Sequence, residues 1–163
     1  MASILGFEIK NMVKFRGREG QGCQGEIYYN GEKVGWYNDS ADGGMAEIDF
    51  WQNDVKCRDD NQALFDKAVK DYFAAYPLTG ALKDMEPNGE LFMHALVELT
   101  EFEEKYKLYS MTGRQFFVVY ENESGTEVSF ISSSDPFVFD RLKRDKAAFN
   151  VKLYKSLEDF NIK

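Results

Sequence analysis

The chain has 163 residues, 44% of them hydrophobic and 15% aromatic, and carries a formal net charge of −8. That length allows one domain, or two very small ones sharing a helix, and buries a core without disulfide or metal staples. The charge argues against a broad nucleic-acid footprint, which needs Lys and Arg to release counterions from phosphate. It leaves open the reverse case, an acidic surface that occupies a groove built for nucleic acid.

No apolar run approaches the length of a membrane span, and the opening MASILGFEIKNMVKFRG lacks a signal-peptide pattern. A cytoplasmic setting is therefore expected, with Cys23 and Cys57 reduced and structural. His94 is the only histidine. With no CxxC spacing either, neither a zinc site nor a Ser-His-Asp or Cys-His constellation is expected, and no cofactor is indicated.

Residues 4–15 alternate apolar positions (Phe7, Ile9, Val13, Phe15), which predicts a strand with a bulge near Asn11. Residues 17–25, GREGQGCQG, read as a flexible glycine-rich loop. Residues 26–29 and 33–37 flank Asn30-Gly31, a strong hairpin signal. A second turn over 38–44 leads to a strand over 45–51, with Ala46, Ile48 and Phe50 on one face and Glu47, Asp49 and Trp51 on the other. Asp59, Asp60 and Asn61 offer an N-cap and a negative first turn. The helix that follows has an apolar face of Leu64, Phe65, Ala68, Val69, Tyr72, Phe73 and Tyr76, ended by Pro77.

Residues 77–88 are the best linker. A long helix over 89–110 then carries the stripe Leu91, Phe92, Ala95, Leu96, Leu99, Phe102, Tyr106 and Tyr109, with Glu98, Glu101, Glu103 and Glu104 assigned to its outer face. Strands over 115–120 and 126–132, joined by a turn over 122–125, precede an Asp135-Pro136 helix start. That helix is expected to run to about Lys146, before a closing strand over 151–154. The fold class is α+β: an N-terminal antiparallel β-meander with a packed helix, a long central helix, and a C-terminal ββαβ unit. The parts divide as 1–78, 79–113 and 114–163, or together form one domain. The long helix either packs between the two units or pairs with its copy in a homodimer.

Four features invite function. The glycine-rich loop over 16–25, which carries Arg16 and Arg18, lacks both the dinucleotide and the P-loop pattern, so it is a connection or a partner-binding loop. Asp39, Asp42, Glu47 and Asp49 have the oxygen chemistry for Mg²⁺ or Ca²⁺, yet no EF-hand spacing, so a solvated hairpin tip is the preferred reading. Residues 39–60 carry seven acids against Lys56 and Arg58, a net of −5. Interleaved with Trp36, Tyr37 and Trp51, they resemble an interface with aromatic anchors. Arg141, Lys143, Arg144 and Lys146 form a basic patch on the last helix, either solvated or in contact with nucleic acid or an acidic partner.

The run GEIYYNGEKVG (25–35), followed by Asn38-Asp39 and Asp42-Gly43-Gly44, resembles a hairpin that recurs in small phage- and plasmid-encoded accessory proteins. The resemblance covers residues 1–76 and transfers no catalytic residue. It implies a mobile-element setting, and by analogy an anti-defence role of the anti-CRISPR kind. The expected function is a non-enzymatic protein that blocks a host nucleic-acid-handling defence protein, with Trp36, Tyr37, Asp39, Asp42, Glu47, Asp49, Trp51, Arg16 and Arg18 as binding residues. The alternatives are metal-dependent phosphodiester hydrolysis at the acidic cluster and direct RNA or DNA binding.

Overall fold

The computed structural model describes residues 1–50, 55–122 and 127–163, without the side chains of 55–57 and 81. It is an α+β fold with two antiparallel-dominated sheets. Trp51, Asp54 and most of the expected 122–125 turn lie outside the described residues.

The meander forms as its alternation predicts. In β2 (Phe7–Arg16), Phe7 and Ile9 point into the core. The register to the next strand then slips between Lys10 and Val13, where Asn11 takes a φ of 52°. Asn tolerates that left-handed geometry, so the expected bulge sits at Asn11. Strands β3 (Gln21–Tyr29) and β4 (Glu32–Asp39) are joined by Asn30-Gly31 at φ 48° and 87°, the paired positive angles that a tight right-twisted hairpin demands. β5 (Glu47–Phe50) completes the meander, with Phe50 buried and Glu47 and Asp49 exposed.

The 17–25 segment departs from expectation. Its second half is strand, and the connection is only residues 17–20, tied down by hydrogen bonds from Gly17 N–H to the Gly20 carbonyl (2.9 Å) and from Glu19 N–H to the Ala41 carbonyl (2.7 Å). Gly17, Gly22 and Gly25 serve close approach rather than flexibility. A Cβ on Gly22 would lie 2.4 Å from the Asp39 carbonyl oxygen and 2.6 Å from Phe15 Cε2, and one on Gly25 would lie 2.7 Å from Ile9 Cγ1.

Helix α1 (Val55–Ala75) begins ahead of the cap expected at Asp59–Asn61, which falls inside it. Asp and Asn are strong cap formers but cost a helix interior well under about 1 kcal/mol each, and a helix secured by its packed face overrides that. Of the predicted face, Phe65, Ala68, Val69, Tyr72 and Phe73 are buried, whereas Leu64 and Tyr76 at its margins are exposed. A linker containing one 3-10 turn, Gly80–Leu82, leads to α2 (Gly89–Ser110). The Asn88 side chain caps α2, accepting the Leu91 N–H at 3.0 Å.

The second sheet is built from β6 (Phe116–Glu121), β7 (Val128–Ser133) and β8 (Phe149–Tyr154), in the order β7-β6-β8. Between β7 and β8 lies α3 (Val138–Arg144). This helix is shorter than expected: Asp135 accepts the Phe137 N–H (2.9 Å) and so caps a preceding turn, and Asp145 is already extended. Lys146 therefore lies beyond the helix.

Two short strands were not anticipated. β1 (Ser3–Ile4) pairs with β2, and β9 (Asn161–Ile162) pairs parallel to β1, so the first sheet runs β5-β4-β3-β2-β1-β9. Leu5 N–H to the Ile162 carbonyl (2.7 Å) and Ser3 Oγ to Asn161 Oδ1 (2.9 Å) secure this closure. Two-residue strands carry no readable periodicity.

α1 and α2 cover one face of the first sheet. Phe65 meets Phe7 edge-on at 5.4 Å and Phe92 at 5.2 Å, and Tyr72 meets Phe92 at 5.6 Å. Further along α2, Phe102 and Tyr109 pack on Phe117 of the second sheet at 6.4 and 6.1 Å. Phe92, Leu96, Leu99 and Phe102 of the central stripe are thus buried within the chain, between the two sheets, while Leu91, Ala95, Tyr106 and Tyr109 are half-buried.

Glu103 corrects the assignment of an outer glutamate face. It is only 2% exposed, with its carboxylate 3.1 Å from the Met1 amino group and 3.0 Å from Lys107 Nζ. Burial by itself pushes this carboxyl up. Lys107, the amino group and the Ala2 N–H together outweigh burial and hold it below its ordinary value.

Two outcomes are expected. Gly22→Ala should cost about 1–3 kcal/mol in a urea melt, as overpacking against backbone does, while Gly44→Ala, where a Cβ meets open space, should be near neutral. The stabilisation from Glu103 should be complete above the ordinary carboxyl value of 4.5 and be lost as pH falls through its lowered folded value. Melts against pH should therefore show Glu103→Gln less stable at neutral pH, with a flatter acid limb.

Candidate functional site

Among the described residues, the helices leave the other face of the first sheet uncovered, and strand register decides what it displays. One row across it is Lys10, Glu26, Trp36 and Asp49, and the next is Val13, Gln24, Asn38 and Glu47. Glu26 is held by Lys33 (2.5 Å), Asn11 (2.7 Å) and the Tyr28 hydroxyl (3.2 Å), and the Lys33 contact foremost lowers its carboxyl below the usual range. Lys10 pairs with Glu8 (2.8 Å) and lies over the Tyr28 ring (4.3 Å). Toward β5 the compensation stops. Glu47 accepts only the Asn38 amide (3.2 Å), and neither Glu47 nor Asp49 has a cationic partner among the described residues. Trp36, half-buried, stands directly beside Asp49.

The other expected binding residues separate from this face. Tyr37 is 1% exposed and turned inward, so it is no surface anchor; it alternates with Trp36 along β4 and must face the helices. Asp39 shares that inner side and lies 3.5 Å from His94 Nε2. Asp42 accepts the Arg18 N–H (3.1 Å), which ties the two turns at one end of the sheet, where Arg16 and Arg18 are exposed. The acidic quartet is therefore split between opposite faces and a turn. Among the described residues, no group of three or more His, Cys, Asp or Glu is placed to hold a metal.

On the inner side, a cleft of about 780 Å³ opens beside α2. One wall is Tyr72 and Phe73 of α1, with Tyr76 just past its end. The flank of α2 contributes Leu91, His94, Ala95, Glu98 and Glu101. The ends of β3 and β4 add Cys23, Tyr37 and Asp39, and the second sheet adds Glu121 and Lys152. Lys14 binds Glu101 at 2.8 Å, and the Asn150 amide donates to Glu121 at 2.9 Å. Glu98 keeps solvent contact, yet it lies among the cleft walls; desolvation above all raises its carboxyl, Lys152 opposes this, and Glu121 and Glu101 add to it. Burial likewise raises the Tyr37 and Tyr72 hydroxyls. Sequence reasoning missed this cleft. Its one signal was the i, i+4, i+7 spacing of His94, Glu98 and Glu101 beside the apolar stripe.

The basic patch is diluted by interleaved acids: residues 135–146 hold three Asp against four cations, a net of +1. Arg141 pairs with Asp135, Arg144 Nε donates to the Asp140 carbonyl (3.1 Å), and Lys143 lies over the Phe139 ring (4.6 Å). No helix among the described residues is long and apolar enough to cross a membrane. No protein-family model matches the chain, and no curated protein sequence or solved structure matches it significantly.

Cys23 is 8% exposed, and burial foremost, with Asp39 and Glu101 adding to it, pushes its thiol up to about 11. In a Cys57→Ser background the folded protein should take up no iodoacetamide at neutral pH, and the urea-unfolded chain should take up one equivalent, as read by intact mass.

Proposed function

We propose that this protein works by binding, docking the uncovered face of its first sheet onto a basic protein surface. The carrying observation is the uncompensated acidic edge at Glu47 and Asp49 beside the half-buried Trp36. An aromatic anchor next to charge that has no cationic partner among the described residues fits a cationic partner surface. The acids also protect the edge strand β5 from pairing with other strands, and the two roles are compatible.

The partner class we favour is a host nucleic-acid-handling protein, whose basic groove the acidic face would occupy and block in the cytoplasm. The phage or mobile-element setting rests on the hairpin resemblance alone. Metal-dependent hydrolysis and direct nucleic-acid binding are less favoured, because the acidic quartet is divided and the basic patch is diluted.

Tagged protein should capture a protein from bacterial lysate that survives nuclease treatment and elutes with salt. Asp49→Lys with Glu47→Lys should abolish capture, and Trp36→Ala should weaken it at least about tenfold, the scale of an interface anchor. Capture that is indifferent to the charge reversal, or recovery of nucleic acid alone, would sink this reading.

A further inference from the structure

The inner cleft carries a second inference, independent of the outer face. We propose that it binds a small organic cation, an amine or guanidinium carried on an aromatic or aliphatic body.

Its volume of about 780 Å³ falls within the range of small-molecule sites, roughly 300–1,000 Å³. The chemistry of its walls then selects the ligand. Four carboxylates line it (Asp39, Glu98, Glu101 and Glu121) against the cations of Lys14 and Lys152. Three of the four have protein partners: His94, Lys14 and Asn150, respectively, serve Asp39, Glu101 and Glu121. Glu98 has no hydrogen-bond or ion-pair partner among the described residues.

Two further polar groups wait in the same place. Tyr37 and Tyr72 are 1% and 9% exposed, both line the cleft, and neither hydroxyl has a hydrogen-bond partner among the described residues. Neither hydroxyl is among the sealed, unpartnered polar atoms of the described residues, and both side chains line the cleft. Polar groups at such depth ordinarily find partners, and here a ligand or the water it displaces must provide them.

An anion would face the four carboxylates. A purely apolar molecule would bury Glu98 and both hydroxyls without replacing their hydration, which is costly. A cation satisfies Glu98 directly, and its body can lie along Tyr72 and Tyr76, whose rings are 5.2 Å apart and whose faces attract positive charge.

The test is isothermal titration of the full chain with tyramine, its uncharged analogue tyrosol, its anionic analogue 4-hydroxyphenylacetate, and agmatine. Tyramine or agmatine should saturate a single site. Tyrosol should bind at least about tenfold more weakly than tyramine, and 4-hydroxyphenylacetate not at all. Glu98→Gln should weaken cation binding about tenfold, whereas Asp49→Lys on the outer face should leave it unchanged, which separates this proposal from the docking one. The proposal falls if neither cation saturates, if tyrosol matches tyramine, or if Glu98→Gln binds like the parent with an unchanged melting temperature.

Discussion

The apolar stripe of α2 is shared by two sheets, and its burial is the constraint on which the rest of the architecture depends. Phe92, Met93 and Leu96 are fully buried against the first sheet and α1, and Phe102 and Tyr109 meet the second sheet at Phe117. Each such large side chain contributes about 1.5–3 kcal/mol relative to exposure. Without the helix, both sheets would show an apolar face to water, so neither half is indifferent to the other. The chain ends reinforce the same union. β9 returns beside β1, and Phe160, just ahead of β9, stacks on Tyr154 of the second sheet at 4.3 Å.

A helix with one face committed to two sheets has a flank left over, and that flank becomes the wall of the cleft. Leu91, His94, Ala95, Glu98 and Glu101 recur at steps of three and four, so they form a second stripe beside the buried one. The walls opposite come from elements that α2 itself positions: the last turns of α1 and the edge of the second sheet. The cleft follows from the bridging arrangement rather than from any local motif, which is why no motif announces it.

The four glutamates of α2 show how far a sequence can be read. Glu98, Glu101, Glu103 and Glu104 look alike as polar positions opposite a stripe. In the structure Glu98 and Glu104 are exposed, Glu98 and the half-buried Glu101 line the cleft, and Glu103 is buried. Phase alone could have singled out Glu103, since positions 92, 96, 99 and 103 share one helical face. What phase could not supply was the partner: the chain start lies a hundred residues away in sequence, and only the fold brings its amino group to 3.1 Å. The meander was more legible, because hairpin chemistry at Asn30-Gly31 and the bulge at Asn11 are local. The glycines of 17–25 misled for the opposite reason. Mobility and close approach both call for a residue without a Cβ, and the atoms that crowd Gly22 come from Phe15 and Asp39.

Strand β4 ties the two candidate surfaces together. Its alternation sends Trp36 and Asn38 to the open face, and Tyr37 and Asp39 to the cleft. The acidic excess read from composition is therefore two separate fields with one strand between them: Glu47 and Asp49 outside, and Asp39, Glu98, Glu101 and Glu121 within. They differ in what they can recognise. The outer pair lies on an open sheet face, where salt screens it and only a broad complementary surface gains much from it. The inner group stands among aromatic walls that lower the local dielectric, where one cation of the right size gains more. Net charge alone would assign both the same partner, and only the pleat of β4 shows that they are distinct.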